Sequence, residues 1–153
     1  MQNTAPLTDV LEIAIDMERM GRDFYQVLAY GRDEAQVRAF CLMAAKEKAR
    51  HLTVFQKMHD EVEPPGSARV DLDLLDQAAR MAKQQIQPAA ATVHRVAVGG
   101  NLKDALRMAI RMEEDAVSFY EQLGAALPGS AQVIRAIANE ERKHLSALRA
   151  VAA

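Results

Sequence analysis

Two stretches of the sequence repeat one pattern of charged residues and histidines. Residues 44–55 read AAKEKARHLTVF and residues 138–148 read ANEERKHLSAL, and aligning them matches His51 with His144. Three residues before its histidine, the second stretch has Glu141 whereas the first has Lys48. Residues three apart lie on the same face of a helix, so Glu141 and His144 are expected side by side. The first copy therefore carries a cation where the second carries a carboxylate.

Further acids lie on helix faces that are otherwise apolar. Steps of three and four residues give two matching stripes, which are Leu11, Ala14, Glu18, Gly21, Tyr25 and Leu28, and Leu106, Ala109, Glu113, Ala116, Tyr120 and Leu123. Glu47 and His51 fall on the corresponding stripe of a third helix, and Glu141 and His144 on that of a fourth. A carboxylate on an inward stripe is costly unless it is paired, protonated or bound to a metal ion. Several such residues at matching positions predict one polar site inside the core.

Two tyrosines share these stripes. Tyr25 and Tyr120 follow Glu18 and Glu113 by seven residues, which is two turns along the same helix face. That spacing suits a phenol that donates a hydrogen bond to a carboxylate from another helix. Plain packing in the core is the alternative. Both tyrosines are candidate catalytic residues.

The segments that carry these residues are predicted to form four long helices. The first runs to about Ala29, and the second runs to about Glu63. Capping residues mark the four starts, at Thr8 or Asp9, at Asp33 with Gln36, at Asn101 with Asp104, and at Ser130. The sequences AIDMERMGRDFY (14–25) and AIRMEEDAVSFY (109–120) match in their apolar, acidic and aromatic positions. The chain is therefore predicted to be a duplicated helical hairpin with a pseudo-twofold core.

A long connection joins the two hairpins. The hairpins cover residues 8–63 and 101–151, and residues 64–100 form a crossover between them. Within it, DLDLLDQAARMAKQQI predicts a shorter fifth helix that Pro88 stops. Two hairpins joined in this way predict an all-α four-helix bundle with a crossover, in a single domain.

Composition and charge narrow the class of protein. The chain has 153 residues, half of them apolar and few aromatic, and a formal net charge of -2. That balance gives no support to a nucleic-acid or membrane surface. We expect no signal peptide and no membrane span, because no apolar run is long enough. Cys41 stands alone, which excludes an internal disulfide and a Cys-x-x-Cys metal site and favours a reducing, cytoplasmic setting.

The chain resembles the rubrerythrin branch of the ferritin-like superfamily. The resemblance rests on the two repeated segments at 14–25 and 109–120 and on AIANEERKHL in the last helix. It implies a ferritin-like bundle that holds two irons with glutamates and Glu-x-x-His pairs. Carried onto this sequence, the implied iron ligands are Glu18, His51, Glu113, Glu141 and His144, with Glu141 bridging the two irons.

The resemblance also implies an activity and partners. Proteins of this kind react with peroxide or dioxygen, so we expect peroxide scavenging or oxidation of ferrous iron. Rubrerythrins proper carry a rubredoxin-like iron held by four cysteines, and a single cysteine cannot form it. The electron donor is therefore expected to be a separate protein. Ferritin-like bundles commonly self-associate, so a homodimer is expected.

Lys48 occupies the place of the second bridging glutamate. A protonated ammonium group supplies no lone pair and repels metal ions. Glu47, about 40° around the helix from His51, could take the vacant place while Lys48 turns outward or pairs with an acid. Three alternatives follow: two irons with Glu47 as a substitute ligand, one iron or a weak site, and a metal-free bundle. In the last case Lys48 is an internal counter-ion to the buried glutamates, and the protein has a structural or binding role.

Overall fold

Five α-helices and two short strands make up the part of the chain that the computed structural model describes, which is residues 3–30, 34–64, 66–97 and 102–152. In chain order the elements are β1 (Thr4–Pro6), α1 (Leu7–Tyr30), α2 (Ala35–Asp60), β2 (Arg69–Asp71), α3 (Leu72–Ala97), α4 (Leu102–Ala126), a 3-10 turn (Pro128–Ser130) and α5 (Ala131–Ala152). The caps predicted at Asp33 and Asn101 lie outside the described residues. None of the described helices combines the length and the apolar character that crossing a membrane requires.

The helices pair as two hairpins joined by α3. Helix α1 packs along α2, and α4 packs along α5, while α3 lies against both α1 and α4. The chain is an all-α, ferritin-like bundle with a long crossover, as the sequence predicts. Strands β1 and β2 pair antiparallel, with Ala5 opposite Val70, and fix the N-terminal segment beside the start of α3.

Two apolar clusters fill the bundle, one on each side of a polar layer. The first cluster contains Leu11, Phe55 and Ile134, and the second contains Phe24 and Leu148. On each of α1, α2, α4 and α5 the buried charged residues fall between the segments that contribute to the two clusters. The polar layer is therefore sealed above and below by apolar side chains, which keep bulk water away from it.

The crossover helix is longer than predicted. Helix α3 has 26 residues and includes Pro88 in its interior, so the prediction that Pro88 ends a short helix is wrong. Proline removes one helical donor but need not end a helix when later residues are packed. Here Ala89 and Thr92 are buried, and the Thr92 hydroxyl donates a hydrogen bond of 2.8 Å to the Pro88 carbonyl. Burial of these residues after the proline therefore allows the helix to continue.

Candidate metal centre

Six charged or titratable side chains converge in the polar layer. Each of them is at most 4% exposed, and they come from four helices: Glu18 from α1, Lys48 and His51 from α2, Glu113 from α4, and Glu141 and His144 from α5. The stripes of the sequence therefore meet at one depth of the bundle. Burial of so many charges is tolerated only because the groups neutralise and hydrogen-bond one another.

The carboxylates and imidazoles form two groups that could each hold a metal ion. We call Glu18, His51 and Glu141 the Glu18 half-site, and Glu113, Glu141 and His144 the Glu113 half-site. Within each group the ligand atoms lie within 4.8 Å of one another. Glu141 serves both, with Oε1 3.1 Å from Nδ1 of His51 and Oε2 3.1 Å from Nδ1 of His144. The five metal ligands that the resemblance implies are brought together.

Lys48 lies between the two half-sites. Its Nζ is 3.0 and 3.1 Å from the two oxygens of Glu141, 3.3 Å from Glu113 and 3.8 Å from Glu18. The side chain thus pairs with acids inside the core and does not turn outward. Its aliphatic stem passes over Gly21, where a Cβ atom would lie 3.2 Å from Cε and 3.3 Å from Cδ of the lysine. A glycine on α1 therefore makes room for the ammonium group at the centre.

Glu47 does not take the place beside Lys48 that the sequence analysis considered for it. Its carboxylate lies on the outer side of the layer, 2.6 Å from Nε2 of His144, and belongs to neither half-site. Lys48 already fills the centre. The Glu47 side chain is 33% exposed, so its carboxylate stays partly hydrated on the outer side. Glu140, the matching residue of α5, holds Nε2 of His51 at 2.5 Å. The two outer glutamates fix the imidazoles so that Nδ1 faces the half-sites.

The two tyrosines hydrogen-bond to glutamates of the opposite hairpin. The Tyr25 hydroxyl donates to Oε1 of Glu113 at 2.7 Å, and the Tyr120 hydroxyl donates to Oε1 of Glu18. These are the contacts that their spacing from the acids suggests. They orient one oxygen of each carboxylate and leave the other facing Lys48 and the histidines. A catalytic role for either tyrosine stays a prediction.

Charge pairing shifts the pKa values throughout the layer. Burial alone would lower the pKa of both imidazoles, yet contacts with Glu141 and Glu18 raise that of His51 to about 10, and contacts with Glu113 and Glu141 raise that of His144 to about 10. Burial would also lower the pKa of Lys48, but the three carboxylates raise it. Without metal, the histidines and the lysine are therefore cations that neutralise the glutamates.

The carboxylates differ from one another. Burial would raise the pKa of Glu18 and of Glu141, but Lys48 helps to hold both below their ordinary value. Burial and the neighbouring Glu141 raise the pKa of Glu113. Of the three carboxylates, Glu113 is therefore the one most easily protonated.

The donor set of the Glu18 half-site fits a divalent metal ion. Ligand bonds of about 2.0–2.2 Å put neighbouring ligand atoms about 2.8–3.6 Å apart. Nδ1 of His51 lies 3.1 Å from Oε1 of Glu141 and 3.6 Å from Oε2 of Glu18. Among the buried side-chain nitrogen and oxygen atoms of the described residues, Oε2 of Glu18 alone has no hydrogen-bond partner. A bound cation would satisfy that oxygen.

Comparison with known protein families gives a match to rubrerythrin. The rubrerythrin family model matches residues 104–153, which cover nearly all of α4 and the whole of α5. Neither the curated proteins nor the solved structures compared with the chain gave a match. The matched segment contributes Glu113, Glu141 and His144 to the polar layer. Over this C-terminal helical hairpin, the family model confirms the resemblance to rubrerythrin, and it does not extend to α1, α2 or α3.

Proposed function

We propose that this protein is a rubrerythrin-type iron protein that reacts with peroxide or dioxygen. The observation that carries the proposal is the convergence of two buried glutamate and histidine groups in one layer of a bundle whose second hairpin matches rubrerythrin. Carboxylate and imidazole together suit ferrous iron, and such sites lie between facing helices of ferritin-like bundles.

The side chains would hold and protect the metal. Bound ferrous iron would supply electrons to peroxide or dioxygen. Glu140 and Glu47 keep the Nε2 atoms of His51 and His144 occupied, so their Nδ1 atoms are the ones directed at the site. The apolar clusters on both sides restrict water around the layer. The electrons needed to restore the ferrous state would come from a separate donor protein, and we expect the bundle to work as a homodimer.

An anaerobic ferrous titration of metal-stripped protein, followed by addition of peroxide, tests this function. We expect tight binding of ferrous iron and then its rapid oxidation, which is measured by the change in absorbance. Glu141→Gln removes the carboxylate that both half-sites share and should abolish binding. Glu114→Gln is the matched control, because Glu114 is an exposed neighbour on α4 that pairs with Arg149, and it should behave like the parent. Ferrous iron that binds but is not oxidised would contradict the proposed activity.

A metal-free bundle with a structural or binding role is the second candidate. The observation that favours it is the Lys48 ammonium group, which lies 3.0 to 3.8 Å from oxygens of the three inner glutamates, Glu18, Glu113 and Glu141. That arrangement neutralises the core without metal. The same titration separates the two functions, because a metal-free bundle would bind no ferrous iron.

A further inference from the structure

The two half-sites differ in whether a carboxylate oxygen is left free to bind a metal ion. In Glu113, Oε1 accepts a hydrogen bond from Tyr25 and Oε2 accepts one from Lys48 at 3.3 Å. In Glu18, Oε1 accepts from Tyr120, but Oε2 accepts from no group among the described residues. A buried carboxylate oxygen without a donor is costly, so Glu18 is the better placed of the two to take a cation.

The position of Lys48 is the cause of that difference. Its Nζ is 0.5 Å closer to Glu113 than to Glu18, at 3.3 and 3.8 Å, and it also contacts both oxygens of Glu141. The ammonium group therefore leans into the Glu113 half-site. A metal ion there would face the ammonium group at hydrogen-bonding distance from both of its carboxylate ligands, whereas a metal ion in the Glu18 half-site would face it at that distance from Glu141 alone.

A small cavity lies beside Glu18. Its lining contains Glu18, Gly21, Lys48, Gln85, Ala116, Tyr120 and four methionines, and Glu18 is the only residue of either half-site in it. Its volume of about 10 Å³ gives room for about one water-sized molecule. A small molecule could therefore lie next to Glu18, whereas the cavity does not reach Glu113.

We infer that the protein binds a single divalent metal ion per chain, in the Glu18 half-site, and that the Lys48 ammonium group stands where a second ion would otherwise lie. The inference rests on the proposed function, since it specifies the metal content of the same centre. Glu18, His51 and Glu141 are the protein ligands. The Lys48 ammonium group occupies the Glu113 half-site. There it hydrogen-bonds to Glu141, and Tyr25 donates a hydrogen bond to Glu113.

Manganese binding to metal-stripped protein tests the inference without using activity. Equilibrium dialysis gives the number of Mn²⁺ ions per chain, and electron paramagnetic resonance distinguishes an isolated ion from a coupled pair. We expect one Mn²⁺ with the spectrum of an isolated ion. Glu18→Gln removes a ligand and should weaken binding by more than the about 10- to 100-fold that is typical of groups that only orient a ligand. Glu113→Gln should weaken it by only a few-fold, and the exposed control Glu114→Gln should not change it.

A further variant keeps the test decisive if a glutamine variant does not fold. Lys48→Glu supplies the missing carboxylate and should bind a second Mn²⁺ with a coupled spectrum. Two coupled ions in the natural protein would overturn the inference and leave the proposed function standing. One ion that is lost in Glu113→Gln but kept in Glu18→Gln would overturn its placement. No bound ion would contradict the proposed function itself.

Discussion

The Glu18 and Glu113 half-sites contain the same residue types on corresponding helices, yet they are not equivalent. Each has a glutamate held by a tyrosine of the other hairpin and a histidine held by an outer glutamate, and both share Glu141. Lys48 hydrogen-bonds to Glu113 and Glu141 but stays 3.8 Å from Glu18. A single residue is thus enough to make a duplicated scaffold unequal.

Some contacts of the polar layer are the same in both halves of the duplicated bundle, and others differ. The outer contacts of both histidines and both tyrosines are the same in the two halves, because they depend on helix packing. The centre of the layer depends on Lys48 of α2, because the matching position of α5 has Glu141 and not a second lysine.

Removing the central cation should have the largest effect. Lys48→Met keeps the length of the stem but leaves three buried carboxylates without their ammonium partner. We expect the metal-free protein to lose about 3–5 kcal/mol of unfolding free energy, measured by urea unfolding in the presence of a chelator. Lys57→Met on the same helix is the control, because Lys57 is 76% exposed and lies 3.9 Å from Glu61, and it should change stability by no more than about 0.5 kcal/mol. Equal effects of the two substitutions would refute the counter-ion role.

Raising the pH should destabilise both halves of the metal-free layer. The pKa of each inner histidine is raised from 6.5 to about 10 by the buried glutamates. A raised pKa contributes stability that is complete below pH 6.5 and is lost as the pH rises through about 10. The unfolding free energy, measured with urea from neutral pH to about pH 11, should decline steeply as the pH rises. A flat profile would mean that the histidines are not held as cations.

The tyrosines should reveal which half-site holds the metal. Tyr120→Phe removes the donor to Glu18, and Tyr25→Phe removes the donor to Glu113. Because groups that orient a metal ligand are typically worth about 10- to 100-fold in affinity, we expect Tyr120→Phe to weaken Mn²⁺ binding by about tenfold and Tyr25→Phe to weaken it much less. Equal losses in the two variants would argue for a symmetric centre.

The glycine beneath Lys48 should give the smallest effect. Alanine in a helix interior is favoured over glycine by about 1 kcal/mol. At Gly124 a Cβ would lie 3.5 Å from the nearest side-chain atom of Ile134, an ordinary contact, so Gly124→Ala should be stabilising. At Gly21 the added Cβ would crowd the Lys48 stem at 3.2 Å. Gly21→Ala should therefore be less stable than Gly124→Ala by about 1 kcal/mol, in matched unfolding experiments. Equal stabilisation would mean that the stem does not pass closely over α1.

Much of the fold and of the polar layer could be predicted from the sequence. The periodic stripes place Glu18 and Glu113 on inward faces, and burial of both side chains below 2% confirms that placement. The duplication matches His51 with His144, and the two imidazoles occupy equivalent positions around Glu141. Regular helices carry this information locally, because spacing along the chain fixes which residues share a face.

The direction of Lys48 and the role of Glu47 could not be predicted in the same way. A long lysine side chain can reach the core or the solvent from one backbone position. The signal that decides between them is Gly21, which lies on another helix and where the matching position of the repeat has Ala116. The spacing of α2 relates Glu47 only to His51 on its own helix, whereas its partner is His144 on α5. Contacts between helices are not encoded in the spacing of one helix.

The length of α3 was missed for a related reason. Pro88 is a local signal for a helix end, but burial of residues beyond it is a tertiary effect that outweighs one lost hydrogen bond. The pairing of β1 with β2 has no strong sequence signal either, because each strand has only three residues.

The most direct test of the central claim is a crystal structure of the manganese-loaded protein with anomalous scattering recorded at the manganese edge. We predict one anomalous peak per chain, bounded by Glu18, His51 and Glu141, with the Lys48 ammonium group still in contact with Glu113. Two peaks flanking Glu141, or a single peak beside His144 with Lys48 displaced, would contradict the account.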